Sequence, residues 1–156
     1  MQALGRHLIV EFWDCNAEID SVETVRCAVM DAVKAIGATL LNLHVERFQP
    51  QGVTGLAVLA ESHFSVHSWP EHGYLAADVF TCGPKIRPEL SVAVLERYFE
   101  PVRVEVYELP RGIMSAAATE LQLRKIASTN ADANSNSRSN REIVEPSSDR
   151  EILEPN

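Results

Sequence analysis

The chain is short of several things that would assign it a role at once. Its 156 residues include only three cysteines, Cys15, Cys27 and Cys82. An odd number with no C-x-x-C pair argues against a disulfide framework or a zinc ribbon, and fits a reducing cytoplasm. No apolar run approaches the roughly 20 residues that cross a bilayer, so a transmembrane helix is excluded and no membrane partner is expected. The first residues, Met1 to His7, lack a basic stretch leading into an apolar one and a small-residue cleavage site, so secretion is not expected. Positive charge is scarce too: Lys and Arg number 14 against 22 Asp and Glu, a formal charge of −8. Nucleic acid, which calls for a clustered basic face, is therefore not an expected partner.

Hydrophobic residues, at 46%, suffice for one core, and the length suits one domain. Most of them lie before residue 127. Residues 5–12 read as a first strand. Asp20 with Glu23 three residues on has the pattern of a capping box. Behind it Val22, Val25, Val29, Val33 and Ile36 recur at helical spacing until Gly37. Strand-like segments follow at 39–48, 53–60, 62–69 and 74–82, parted by the turn compositions Pro50-Gln51-Gly52 and Pro70-Glu71-His72-Gly73. Pro88 opens a second helix to about Phe99, Pro101 ends it, and residues 102–109 alternate as a last strand. The order β-α-β-β-β-β-α-β predicts an α+β fold: a two-layer sandwich with a mainly antiparallel sheet and two helices on one face. The domain is expected to occupy residues 1–115, with 116–156 as a C-terminal extension. From Ser128 onward Ser, Asn, Asp, Arg and Glu dominate, a composition that predicts disorder. The extension also carries an imperfect repeat, Arg141–Pro146 and Arg150–Pro155, read as part of a solvated tail in preference to a partner-binding peptide.

Chemistry concentrates between residues 61 and 83, where Glu61, Ser62, His63, His67, Trp69, Glu71, His72, Asp78 and Cys82 share one hairpin. Histidine serves both acid–base and metal chemistry near neutrality. On a strand, His63 and His67 are two alternations apart, about 13 Å at ~3.3 Å per residue. That is too far for both to reach one ion at ~2.0 Å, so no metal is expected. Ordinary core and surface positions in a binding module explain any one of these residues, but strain to explain all of them together.

The run Glu61-Ser62-His63-Phe64-Ser65-Val66-His67-Ser68-Trp69-Pro70-Glu71-His72-Gly73-Tyr74, continuing through Asp78 to Phe80-Thr81-Cys82-Gly83, closely resembles the prokaryotic S-adenosylmethionine decarboxylases. The likeness extends to Leu4-Gly5-Arg6-His7-Leu8, Arg47-Phe48, Gly52-Val53-Thr54-Gly55 and Arg111-Gly112, covering roughly residues 3 to 112. It implies a precursor that cuts itself at the Glu61–Ser62 bond. The Ser62 hydroxyl attacks the Glu61 carbonyl to give an ester, and elimination and hydrolysis then turn Ser62 into a pyruvoyl group. That cofactor forms a Schiff base with the substrate amine and acts as the electron sink for decarboxylation. The resemblance further implies that His67 accepts a proton during processing and that Cys82 donates one after decarboxylation. It implies too that Glu71 binds the substrate ribose, that Phe48 stacks on adenine and that Trp69 lines the substrate site. Thr54 stands where the family usually has a processing serine, and His72 where a tyrosine is more familiar.

Ser62 and His67 are five residues apart, so on one strand they face opposite ways and lie about 16 Å apart at ~3.3 Å per residue. Either the chain bends sharply or His67 comes from a second copy, which matches the homodimer of cleaved protomers with shared active sites that the resemblance implies. The expected substrate partner is S-adenosylmethionine. Arginine or ornithine decarboxylation by the same pyruvoyl chemistry is the alternative, but neither amino acid offers the ribose and adenine that Glu71 and Phe48 would bind. A non-catalytic relative is the other: a regulatory one is expected to have lost Ser62 or Cys82, and a metal-binding one to respond to chelation and show no chain cleavage.

Overall fold

The computed structural model describes residues 3–114 and 124–130. Strands β1 (Ala3–Trp13), β2 (Leu40–Arg47), β3 (Val53–Leu59), β4 (Ser62–Trp69), β5 (Tyr74–Cys82), β6 (Arg103–Ile113) and β7 (Arg124–Asn130) form one sheet in the order β2-β3-β4-β5-β1-β6-β7. Every neighbouring pair is antiparallel. Helices α1 (Val22–Ile36) and α2 (Leu90–Phe99) complete the fold, with short 3-10 turns at Ala17–Asp20 and Pro70–His72. The expected α+β sandwich is the fold observed. None of its helices is long and apolar enough to cross a membrane among the described residues.

Two periodicities meet in the core. Every second strand residue (Leu8, Val10 and Phe12; Phe64 and Val66; Leu75, Ala77 and Val79; Val104 and Val106) is buried against Val25, Val29, Val33 and Ile36 of α1 and Leu95 and Phe99 of α2. The alternate residues of the same strands lie on a face that no helix covers. There the sheet leaves Leu56 and Val58 45% and 44% exposed and Phe48, at the adjoining end of β2, 47% exposed.

Three expectations need correction. The cap of α1 is Ser21, whose hydroxyl accepts from the Thr24 N–H at 3.2 Å. Asp20 instead accepts from the Gly52 N–H at 2.9 Å and pairs with Arg47 at 2.6 Å, tying the β2–β3 turn to the helix entry. Two adjacent residues could each cap, and a long-range pair claimed the first of them. Helix α2 begins at Leu90, two residues beyond Pro88, whose carbonyl accepts from the Ser91 N–H and hydroxyl. Finally, residues 102–109 are not the last strand. Strand β6 runs on to Ile113 and β7 pairs with it along Arg124–Asn130, so Ser128, Thr129 and Asn130 are strand, not disordered. The repeat at 141–155 lies outside the described residues.

Candidate active site

The connection between β3 and β4 is a two-residue turn, Ala60–Glu61, held from both sides. The Ala60 N–H donates to the Thr39 carbonyl at 3.0 Å, and the Thr39 N–H donates to the Glu61 carboxylate at 3.0 Å. That donated bond depresses the Glu61 pKa. The tie is therefore complete above the usual glutamate range and is lost as pH falls through the depressed value. The Glu61 carbonyl oxygen accepts the Cys82 N–H at 3.1 Å. Ser62, next in the chain, has a φ of +147°, a region that residues with a side chain seldom enter. Its hydroxyl lies 3.2 Å from His63 Nδ1. The exposed Cys82 thiol and Glu61 line one open cavity of about 300 Å³ with Gly37, Gly83, Pro84, Lys85 and Ile86. A backbone held in such a conformation costs on the order of 1–3 kcal/mol. Glycine relieves this cost and alanine does not, so Ser62→Gly is expected to unfold at higher denaturant than Ser62→Ala, by about 1 kcal/mol. Equal midpoints would show the turn to be unstrained.

The opposite end of β4 carries a second group. His67 Nδ1 is hydrogen-bonded to the Thr54 hydroxyl directly across the β3–β4 pair. An aromatic row runs beside it: Trp13 stacks on Tyr74 (4.3 Å), Tyr74 on Trp69 (5.1 Å), Trp69 meets His67 edge-on (4.1 Å), and Phe48 tilts against His67 (5.7 Å). Glu71, in the turn after β4, accepts from the Gln51 side chain at 3.0 Å. Thr54, His67, Phe48, Trp69 and Glu71 therefore gather at one end of the hairpin, and Glu61, Ser62 and Cys82 at the other. Five residues of strand, about 16 Å, separate Ser62 from His67.

Beside the Ser62 end lies a group that the sequence alone did not bring together. His7 Nε2 meets Asp78 at 3.1 Å, Arg111 meets His7 Nδ1 at 3.3 Å, and Phe80 packs between His7 and His63 at 5.6 Å from each ring. Gly5 permits this, since a Cβ there would stand 2.6 Å from the Phe80 ring. Only the fused register of β5, β1 and β6 brings the group together. Cys15, by contrast, is pushed up to about 12 by burial, with Asp14 adding to it. It stays a thiol near neutrality, and its backbone N–H donates to the Gly73 carbonyl at 2.8 Å in the turn after β4.

A family model described as S-adenosylmethionine decarboxylase matches residues 6–112. The S-adenosylmethionine decarboxylase proenzyme of Methanococcus maripaludis is 46% identical over 115 residues, 73% of this chain and 94% of that protein. The proenzyme of Thermomicrobium roseum is 50% identical over 115 residues, 73% of this chain and 98% of that one. Among solved structures, the Aquifex aeolicus adenosylmethionine decarboxylase superposes with a TM-score of 0.67 at 34% identity, over 77% of this chain and all of that chain. The Trypanosoma brucei AdoMetDC monomer, at 17% identity and a TM-score of 0.50 over 67% of this chain and 45% of that one, shares the fold.

Proposed function

The chain belongs to the S-adenosylmethionine decarboxylase family, and from that premise we propose that it cuts itself between Glu61 and Ser62 and uses the resulting pyruvoyl group to decarboxylate S-adenosylmethionine. The observation that carries this reading is the Cys82 N–H on the Glu61 carbonyl, with the Ser62 hydroxyl on the adjoining residue. A fixed backbone donor aimed at the oxygen where charge develops is the device that stabilises acyl transfer. Attack by Ser62 Oγ forms the C–O bond and breaks the C–N bond, leaving an ester and a free amine, and relieves the φ strain at Ser62. His67, oriented by Thr54, then takes the Ser62 Cα proton in the elimination that releases Glu61.

The residues fit the cofactor as well as its formation. Cys82 sits beside Ser62 with its thiol exposed, free to deliver a proton to the substrate carbon once carbon dioxide has left. The pyruvoyl ketone supplies the electron sink that no side chain offers. Phe48 and Trp69 present apolar rings for adenine, and Glu71 presents a carboxylate for the ribose hydroxyls.

These two sets do not meet within one protomer. The exposed sheet face supplies the remedy: a second copy packed face to face about a two-fold axis, with the Ser62 end of each hairpin meeting the His67 end of the other. Residues 1–115 form the body of this decarboxylase domain, the extension 116–156 adds β7 to its sheet, and the unpaired thiols suit a cytoplasmic enzyme. Mass spectrometry of the denatured protein tests the reading. Two chains are expected, Met1–Glu61 and 62–156, the longer lighter than a serine-ended chain by the mass of ammonia. One intact chain after prolonged incubation would overturn it, and release of carbon dioxide from arginine or ornithine instead would overturn the substrate.

A further inference from the structure

The acyl shift needs a base for the Ser62 hydroxyl, and His67 already takes a different proton at a later step. We propose that His63 is that base; the inference rests on the self-cleavage reading above. Neighbouring residues on a strand normally point to opposite faces. The φ of +147° at Ser62 breaks that rule and brings its Oγ to 3.2 Å from His63 Nδ1, within reach of proton transfer.

The neighbouring ring of His7 leaves His63 Nδ1 to Ser62. The Arg111 guanidinium can only donate, so His7 Nδ1 is an acceptor and the His7 proton sits on Nε2, directed at Asp78. Both nitrogens of His7 are thus occupied. The ring meets His63 edge-on at 6.5 Å without competing for its nitrogens. Phe80 supports the other flank of His63 at an interplanar angle of 61°. His63 is held in place by packing, with Nδ1 turned to Ser62.

The step balances with no outside reagent. The Oγ proton passes to His63 Nδ1 as Oγ bonds to the Glu61 carbonyl carbon, and the charge on the carbonyl oxygen falls against the Cys82 N–H. When the C–N bond breaks, His63 returns the same proton to the departing Ser62 nitrogen and is neutral again. One proton has moved from oxygen to nitrogen.

The test separates ester formation from elimination. Chains with His67→Ala should form the ester and stop, so hydroxylamine, which cuts esters but not amides, should split them. Adding His63→Ala or His63→Asn should slow that split by about 10²-fold or more, the contribution usual for general acid–base catalysis. Asparagine keeps a hydrogen-bonding atom near the place of Nδ1 but cannot carry the proton, and serves if the alanine variant folds poorly. Added imidazole should partly restore the rate in His63→Ala, which a packing role would not allow. Ester formation at the parental rate in both His63 variants would overturn the role of His63 alone. Resistance of the His67→Ala chain itself to hydroxylamine, together with an uncut wild type, would overturn the self-cleavage reading and this inference with it.

Discussion

Co-expressing Ser62→Ala chains with His67→Ala chains, each inactive alone, is expected to restore about a quarter of the wild-type carbon dioxide release. The arithmetic follows from two-fold symmetry. Random pairing makes about half of all dimers mixed, and a mixed dimer has two unlike sites. One site joins the altered position 62 to the altered position 67 and is dead twice over. The other joins an intact Ser62 and Cys82 to the intact Thr54, His67, Glu71 and Phe48 of the other chain, and is wild type in every residue. The result depends on the separation of the two groups along β4, about 16 Å of extended chain. If Ser62 and His67 of one chain served each other, no pairing of these variants would contain a working site. Activity must be read after co-expression, because cleavage has to follow assembly. A mixture as inactive as its parents would overturn the shared site.

Cys82→Ala is expected to part the two reactions that meet at this residue. The backbone N–H of residue 82 accompanies either side chain, so the contact at 3.1 Å to the Glu61 carbonyl survives the change. Self-cleavage should then proceed, and mass spectrometry should find both chains. Turnover of S-adenosylmethionine should fall by roughly 10²–10⁴-fold, because the proposed proton donor to the substrate is gone. The thiol's setting favours this role: it is exposed at the Ser62 end of the hairpin, whereas Cys15 is partly buried and held protonated. An uncut chain would mean that the side chain, not the backbone, serves cleavage. Unchanged turnover would remove Cys82 from the decarboxylation step.

Legibility in the sequence followed how locally each feature is encoded. Strands β4 and β5 begin and end where alternation and turn residues place them, at Ser62–Trp69 and Tyr74–Cys82. The body of α1 is where its apolar period sets it, and Gly37, at φ +78°, ends it in the conformation that glycine allows. The cap slipped by one residue because Asp20 was taken by Arg47 and Gly52, partners from another element. Strand β7 escaped because its residues are mostly polar and those from Arg124 to Thr129 are exposed: a strand added at a sheet edge is held by backbone hydrogen bonds that any of these residues can make.

By itself the amino-acid sequence determined the two helices and the strands up to β6, the face each buries and the residue types available for chemistry, since these follow from period, turn composition and a dense run of reactive side chains. The motif from Glu61 to Gly83 carried the family likeness on the same terms. Tertiary structure alone decided which of those groups meet. A backbone N–H has no residue identity, so nothing in the letter at position 82 announces a donor on the Glu61 carbonyl; the pairing of β4 with β5 puts it there. The contact of His7 with Arg111 and Asp78 likewise exists only because β1 lies between β5 and β6. The division of Ser62 and His67 between the two ends of one strand is the most consequential case. Strand spacing hinted at it, and the unbroken extended run of β4 holds them there, because an extended chain cannot fold its own two ends together.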